Sequence, residues 1–272
     1  MPQARKQFGQ RWLRSEKALS QIVAAAELSE SDRVLEIGPG TGILTRLLLA
    51  SAGAVVAVEL DRDLCELLTS KLGAINHFLL LQGDILSLDL ENLLDPLPQF
   101  QQPNKVVANI PYNITGPILQ KLLGTIAHPN PNPYDRIVLL VQREIALRLK
   151  ANPGSRHFGA LSVQVQYLAD CDFICDVPSA AFHPPPKVDS AVIRLRPHSP
   201  EPPVQDPHLM QTLVKSGFAS KRKMLRNNLQ SILDREALSS LLEQLQVNPQ
   251  ARAEELSVAN WIALSNALID KG

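Results

Sequence analysis

The stretch "VLEIGPGTGILT" (residues 34–45) decides how the rest of the chain reads. It opens as a short apolar run, turns over Gly38, Gly40 and Gly42, and resumes with helical spacing. Glycine admits positive φ and lets the backbone approach a ligand with no Cβ in the way. Strand, glycine turn and helix in that order mark the ligand-binding corner of an open α/β sheet. The dinucleotide fingerprint requires Gly or Ala at the sixth position of GxGxxG, and Ile43 stands there. The spacing is GxGxG instead, which fits a cofactor without a pyrophosphate.

Outward from this turn, apolar runs alternate with amphipathic stretches. "RVLEI" (33–37), "AVVAV" (54–58), "HFLLL" (77–81), "KVVAN" (105–109) and "RIVLLVQ" (136–142) read as buried strands. Residues 42–52, 61–71, 114–127 and 143–150 read as the helices between them. That alternation predicts a parallel, doubly wound sheet. "FICDV" (173–177) and "DSAVIRLR" (189–196) follow closely on each other and predict an antiparallel ending to the sheet. Residues 160–168, "ALSVQVQYL", alternate like a strand but also allow a helix. "PHSPEPPVQDP" (197–207) holds five prolines in eleven residues and predicts a linker. Beyond it the chain is Leu-rich and helical throughout, with Pro249 and Ser257 as expected helix starts. The expected parts are an α/β domain over 1–196, a linker over 197–206 that lets the small domain adjust its position, and a helical domain over 207–272.

Two acids extend the glycine signal. Glu59 ends the second strand, 21 residues after Gly38, where a carboxylate can accept both hydroxyls of a ribose. Asp84, in "GDIL", ends the third strand, where it can accept from the amine of an adenine ring. Ribose plus adenine without pyrophosphate points to S-adenosylmethionine. The bland alternative makes both acids helix caps or solvated strand ends.

"NIPYN" (109–113) ends the fourth strand at the same edge. An adenine amine is a poor nucleophile because its lone pair is conjugated with the ring. The Asn109 side-chain oxygen and a carbonyl at Ile110 or Pro111 can accept the two amine hydrogens and turn the lone pair toward a methyl donor. Pro111 removes a backbone donor and stiffens the carbonyl direction. Tyr112 offers a face on which a base can stack. The work expected here is positioning and charge matching, with no general base required.

Bulk composition adds limits. The chain has 272 residues, 45% of them hydrophobic, enough for one α/β core and an appendage. Its 27 basic and 27 acidic residues balance, so no global charge demands a nucleic-acid partner. Local stripes do stand out: Arg5, Lys6, Arg11, Arg14 and Lys17 near the start, and Lys215, Lys221, Arg222, Lys223 and Arg226 later. Such stripes are either a phosphate footprint or a solvated helix face. Cys65, Cys171 and Cys175 form no CxxC pair and read as reduced thiols, so no metal site is expected. No charged-then-apolar leader and no apolar run near 20 residues is present, so the chain reads as cytoplasmic.

At this point the sequence resembles the rRNA adenine dimethyltransferases, the KsgA/RsmA group, whose relatives include the Erm methyltransferases. The resemblance rests on "RKQFGQRWL" (5–13), "VLEIGPGTG" (34–42), "VVAVELDRDL" (55–64), "GDIL" (83–86) and "NIPYNITGPIL" (109–119). It extends through "VPSAAFHPPPKVDSAVIRL" (177–195) and "FASKRKMLRNNL" (218–229), so it covers residues 4 to 270. These last two runs are the more specific and favour the KsgA branch over Erm.

The resemblance implies a seven-stranded, mostly parallel Rossmann-like methyltransferase sheet with a small helical C-terminal domain. It implies S-adenosylmethionine contacts at Leu13, Gly38, Glu59, Asp84 and Asn109, with Gly40 in the same loop. Asn109, Ile110, Pro111 and Tyr112 would hold the target adenine, with Phe182 sandwiching the base opposite Tyr112 or merely anchoring its loop. His183 reads as a variable loop residue. Where the family commonly has Asn, this chain has Arg11, and Trp12 stands in place of Phe; Arg11 is left to contact either cofactor or phosphate. The implied substrate is two adjacent adenosines in a hairpin loop near the 3′ end of 16S rRNA in the small ribosomal subunit, gripped by Arg5, Lys6, Lys221, Arg222, Lys223 and Arg226. A monomer is the family expectation. The competing readings are an Erm-like enzyme acting on large-subunit rRNA and a non-catalytic ribosome-assembly or RNA-binding module.

Overall fold

The structure is a computed structural model that describes Arg5 and residues 9–269. Its strands are β1 (Trp12–Leu13), β2 (Arg33–Ile37), β3 (Ala54–Glu59), β4 (Phe78–Gln82), β5 (Lys105–Asn109), β6 (Arg136–Gln142), β7 (Ala169–Val177), β8 (Phe182–His183) and β9 (Ser190–Pro197). Its helices up to β7 are α1 (Glu16–Ala26), α2 (Ile43–Leu49), α3 (Arg62–Leu72), α4 (Leu90–Leu94), α5 (Thr115–Leu123), α6 (Arg143–Leu149) and α7 (Ala160–Leu168). After β9 come α8 (Pro207–Gly217), α9 (Leu225–Asn228), α10 (Arg235–Gln244) and α11 (Val258–Ile269). Among the described residues, no helix is long and apolar enough to cross a membrane.

Packing divides the chain into two compact units. The first comprises Met1–Leu122, Asn132–Ala146 and Asp172–Arg196. It is built on a seven-stranded sheet in the order β4-β3-β2-β5-β6-β9-β7. Strands β2 to β6 run parallel, and β9 runs antiparallel to β6. Val34, Leu35, Val55, Val56, Val106, Val107, Val138 and Leu139 are completely buried. Continuous apolar runs, rather than alternation, are what a sheet covered on both faces requires. Each such side chain contributes about 1.5–3 kcal/mol on burial, so these runs fix the centre of the sheet.

The strand order reverses between β2 and β5. A crevice opens at the carboxyl ends of the strands on either side of such a switch. The register sets its floor: Ile37 lies level with Val58 and Ala108, Glu59 with Gln82, and Asn109 with Leu140. The residues that end β2, β3 and β5 therefore stand at one height. Helix α1 starts where Ser15 accepts a hydrogen bond from Ala18 N at 3.3 Å and buries Leu19, Ile22 and Ala26 on the sheet side. Strand β1 pairs antiparallel with β8, Leu13 opposite Phe182, and Arg14 N donates to Ala181 O at 2.8 Å. This small ribbon fixes the N-terminal segment beside the crevice.

The second unit comprises Leu123–Pro131, Leu147–Cys171 and Pro197–Gly272. Helices α7, α8 and α11 pack on one another, and α9 joins α8 and α10. Asp206 caps α8, accepting from His208 N and Leu209 N, with Pro207 in the first turn. Trp261 is completely buried against α8, where a Cβ on Gly217 would come within 2.5 Å of its ring.

The structure decides one open reading and departs from the expected outline elsewhere. Residues 160–168 are helical. Ser162, Gln164 and Gln166 look like the polar face of a strand, but each bonds a nearby carbonyl: Arg148 O, Gly124 O, and the Leu149 and Ala151 carbonyls. Because α7 packs on α8 and α11, the segment around it belongs to the second unit, and the division is not a single cut at residue 196. The proline-rich stretch is also anchored: Gln205 N donates to Asn266 Oδ1 at 2.8 Å, and Asn266 Nδ2 donates to Pro203 O at 3.3 Å. Pro249 starts no helix; it lies in a turn closed by Ala251 N donating to Asn248 O at 2.9 Å.

Candidate active site

A cavity of about 220 Å³ opens in the first unit at the strand switch. It is lined by the glycine turn, Glu59, Asp84, the segment from Asn109 to Ile114, and the N-terminal stretch from Gly9 to Leu13. Gly38, Gly40 and Gly42 all have positive φ, at 69°, 58° and 82°. Gly40 has a second constraint. The Trp12 ring sits against it, and an added Cβ would approach that ring to 2.8 Å.

Glu59 is nearly buried. Its Oε2 accepts from Gly40 N at 3.1 Å and its Oε1 from Asp61 N at 2.9 Å. Burial raises its pKa, against which these backbone donors work. A carboxylate offers about four lone-pair positions, so each oxygen retains capacity for a ligand hydroxyl. Asp84 is exposed at the cavity rim, with Oδ1 accepting from Leu86 N at 2.9 Å.

Asn109 is half-buried, and its Nδ2 donates to Arg11 O at 3.3 Å. That bond uses the donor side of the amide and leaves Oδ1 as its acceptor. Arg11 thus meets the site through its backbone, while its side-chain charge acts on the Tyr112 phenol. The Tyr112 hydroxyl shares a hydrogen bond of 2.6 Å with Ser190 Oγ, and Thr115 Oγ1 donates to Tyr112 O at 3.2 Å. Burial pushes the Tyr112 phenol up, and the Ser190 hydroxyl works against that shift. Ile110 and Pro111 also line the cavity.

Leu13 lines the cavity from β1. Phe182 does not line it: only 3% exposed, it belongs to the core cluster beneath β1. Its burial is that expected of the loop-anchor alternative. Arg5, expected as an RNA contact, is held at its guanidinium by acids of the same unit. Its guanidinium pairs with Asp61 at 2.9 Å and with Asp63, and Gln10 Nε2 donates to Asp61 at 2.8 Å. This clasp holds the N-terminal segment to the end of β3. Lys6 lies outside the described residues. Lys221, Arg222 and Lys223 are exposed and Arg226 is half-exposed, all in the second unit, with Lys221 Nζ donating to Arg156 O at 2.9 Å.

One residue was missed in the sequence. Glu36 lines the cavity, is only 1% exposed, and its Oε2 has no hydrogen-bond partner. Burial pushes its carboxyl up to about 8; the nearby Thr45 hydroxyl works against this, and the Glu59 charge works with it. An acid inside the apolar run "RVLEI" was the available signal.

The parallel sheet, the glycine turn and the acids at successive strand ends define a Rossmann-like methyltransferase. The model of the family described as ribosomal RNA adenine dimethylase matches residues 1–270, and the chain belongs to that family. It is 66% identical over 268 residues to a ribosomal RNA small subunit methyltransferase A from Nostoc sp. (strain PCC 7120), covering 98% of this chain and 99% of the relative. The same identity and coverage hold for the protein of that name from Trichormus variabilis. Among solved structures, a dimethyladenosine transferase from Plasmodium falciparum superposes with a TM-score of 0.79 at 25% identity, covering 96% of this chain and 98% of that one. The 23S rRNA methyltransferase ErmE superposes with a TM-score of 0.75 at 27% identity, covering 95% and 99%.

Proposed function

We propose that this enzyme uses S-adenosylmethionine to dimethylate N6 of two adjacent adenosines in the hairpin loop near the 3′ end of 16S rRNA. The carrying observation is the shared height of Gly38, Glu59 and Asn109 around one cavity. The name of its relatives supports the small-subunit substrate over the large-subunit one. The cavity residues fit the cofactor. Glu59 has acceptor capacity for ribose hydroxyls, Asp84 for the adenine amine, and Gly38, Gly40 and Leu13 shape the wall. Glu36 has a buried, unpartnered carboxyl oxygen, and a cationic ligand end would relieve it by drawing off its proton. When bound, the cofactor supplies an electrophilic methyl group on a sulfonium.

The protein's own part is positioning. Asn109 Oδ1 and a carbonyl of the Ile110–Pro111 segment accept the hydrogens of the target amine, which frees its lone pair from ring conjugation. Tyr112 supports the base by stacking. Loop bases are already partly unstacked, which lowers the cost of extruding them. After transfer, the proton leaves to solvent. The exposed cations Lys221, Arg222 and Lys223, with Arg226, supply phosphate contacts in the ribosomal particle. The enzyme works as a cytoplasmic monomer that requires no metal.

The test uses small subunits from a strain lacking this modification, incubated with methyl-labelled S-adenosylmethionine. Mass spectrometry of the digested rRNA should find dimethyladenosine at two adjacent positions, lost with Asn109→Ala. Label only in large-subunit rRNA would move the activity to the Erm type. Cofactor binding without label in any RNA would leave an RNA-binding module.

A further inference from the structure

Strand β9 runs against the direction of β2 to β6. Its first residue, Ser190, therefore reaches the end of the sheet where the parallel strands finish, level with Gln142. A serine there has no apolar reason to be buried, yet Ser190 is completely inaccessible. Its hydroxyl lies 2.6 Å from the Tyr112 hydroxyl, across 78 residues of sequence. The residue before it is held from two sides. Arg143 N donates to Asp189 O at 3.0 Å, and Asp189 Oδ1 accepts from Ser179 N at 2.8 Å.

We propose that Ser190 is a positioning residue that fixes where the Tyr112 ring sits, and through it the place at which the target adenine stacks. The inference rests on the adenine-methylating role of the Asn109–Tyr112 segment. Tyr112 has its backbone pinned by Thr115 Oγ1 and its far end pinned by Ser190 Oγ. A ring held at both ends loses the freedom to swing away about its first side-chain torsion. The base must lie against that ring while Asn109 holds its amine, so a displaced ring separates the amine from its acceptors. Misplacement of a reacting group by an ångström is costly to rate even where the chemistry is intact. Ser190 touches neither cofactor nor base in this arrangement, so its effect is on the RNA step alone.

A double-mutant cycle in the full-length enzyme on undermethylated small subunits tests this. Ser190→Ala should lower kcat/KM for the particle about tenfold, consistent with loss of one buried hydrogen bond. Tyr112→Phe, which keeps the stacking face and removes the hydroxyl, should give a similar loss. The double variant should be no worse than Tyr112→Phe alone. The dissociation constant for S-adenosylhomocysteine should stay at the wild-type value in all three. Additive losses, weakened cofactor binding by Ser190→Ala, or full activity of Ser190→Ala beside an active wild type would each overturn the positioning role. An inactive wild type with intact cofactor binding would instead overturn the functional reading beneath it.

Discussion

The two ends of the central sheet treat buried polar groups in opposite ways. At the carboxyl end of β2, Glu36 Oε2 is buried without a hydrogen-bond partner. At the amino ends of the same layer, Asp32, Asn104 and Lys105 satisfy one another, while Arg136 Nε is buried without a partner. Asp32 accepts from Ser29 N, from Asn104 Nδ2 at 2.8 Å and from Lys105 Nζ at 2.9 Å. Asn104 accepts from Arg33 N at 2.9 Å, and Lys105 Nζ donates to Glu27 O at 2.5 Å. The Glu27 carboxylate takes Arg136 at 2.5 Å and Arg194 at 2.8 Å. Leaving a buried polar atom unpaired costs about 1–3 kcal/mol, so the open end is tolerated where a ligand completes it. The closed end ties the strand ends and the preceding loops together.

The largest expected effect lies at the open end. Asn109→Ala should lower kcat by about 10²–10³-fold, the usual consequence of removing one preorganised partner of a reacting group. Circular dichroism should show the fold unchanged. At the closed end, Lys105→Ala leaves Asp32 buried without its cation. Stability should fall by about 3 kcal/mol in denaturant titration, while kcat per folded molecule stays at the wild-type value. If the two variants exchanged phenotypes, the division of labour between the ends would be broken. Between these cases stands Gly40→Ala, which forces a side chain into positive φ against the Trp12 ring. A cost of about 1–2 kcal/mol is expected, with weakened cofactor binding, and Trp12→Phe in the same chain should return part of it.

The sheet itself was legible because its strands are buried on both faces. "RVLEI", "KVVAN" and "RIVLLVQ" needed no context to be read, and the structure returns β2, β5 and β6 with the same bounds. The carboxylates at the ends of β3 and β4 were legible because a parallel sheet delivers every strand end to one edge. The α7 segment was not, since its polar residues bond carbonyls at the ends of α5 and α6 instead of facing water. Its allegiance to the second unit depends on α8 and α11, far along the chain. Phe182 stayed open for a related reason: an aromatic in a loop motif looks the same in sequence whether it faces a base or a core. Ser190 was invisible because its value lies in a partner 78 residues away.

The pH dependence of stability should carry opposite signs at the two ends. Burial works to raise Asp32, but hydrogen bonds from Asn104, Lys105 and Ser29 outweigh it and hold the carboxyl at about 2. Its contribution is present above the unfolded value of 3.8 and is lost as pH falls through about 2. Glu36 is the reverse. Folded, it keeps its proton to about 8; unfolded, it loses it near 4.5. Its contribution is complete below the lower value and is lost as pH rises through the upper one. Thermal melts of Glu36→Gln should therefore gain on wild type between about pH 5 and about pH 8.5, while Asp32→Asn should differ from wild type most above about pH 4 and converge with it in acid.

The most direct test of the contrast is calorimetric titration of S-adenosylmethionine at about pH 7 in two buffers of different ionisation enthalpy. A cation seated against Glu36 should expel its proton, so wild type should release about one proton per cofactor and Glu36→Gln none. No release from wild type, or equal release from both, would contradict the claim that the open end is kept unsatisfied for the ligand.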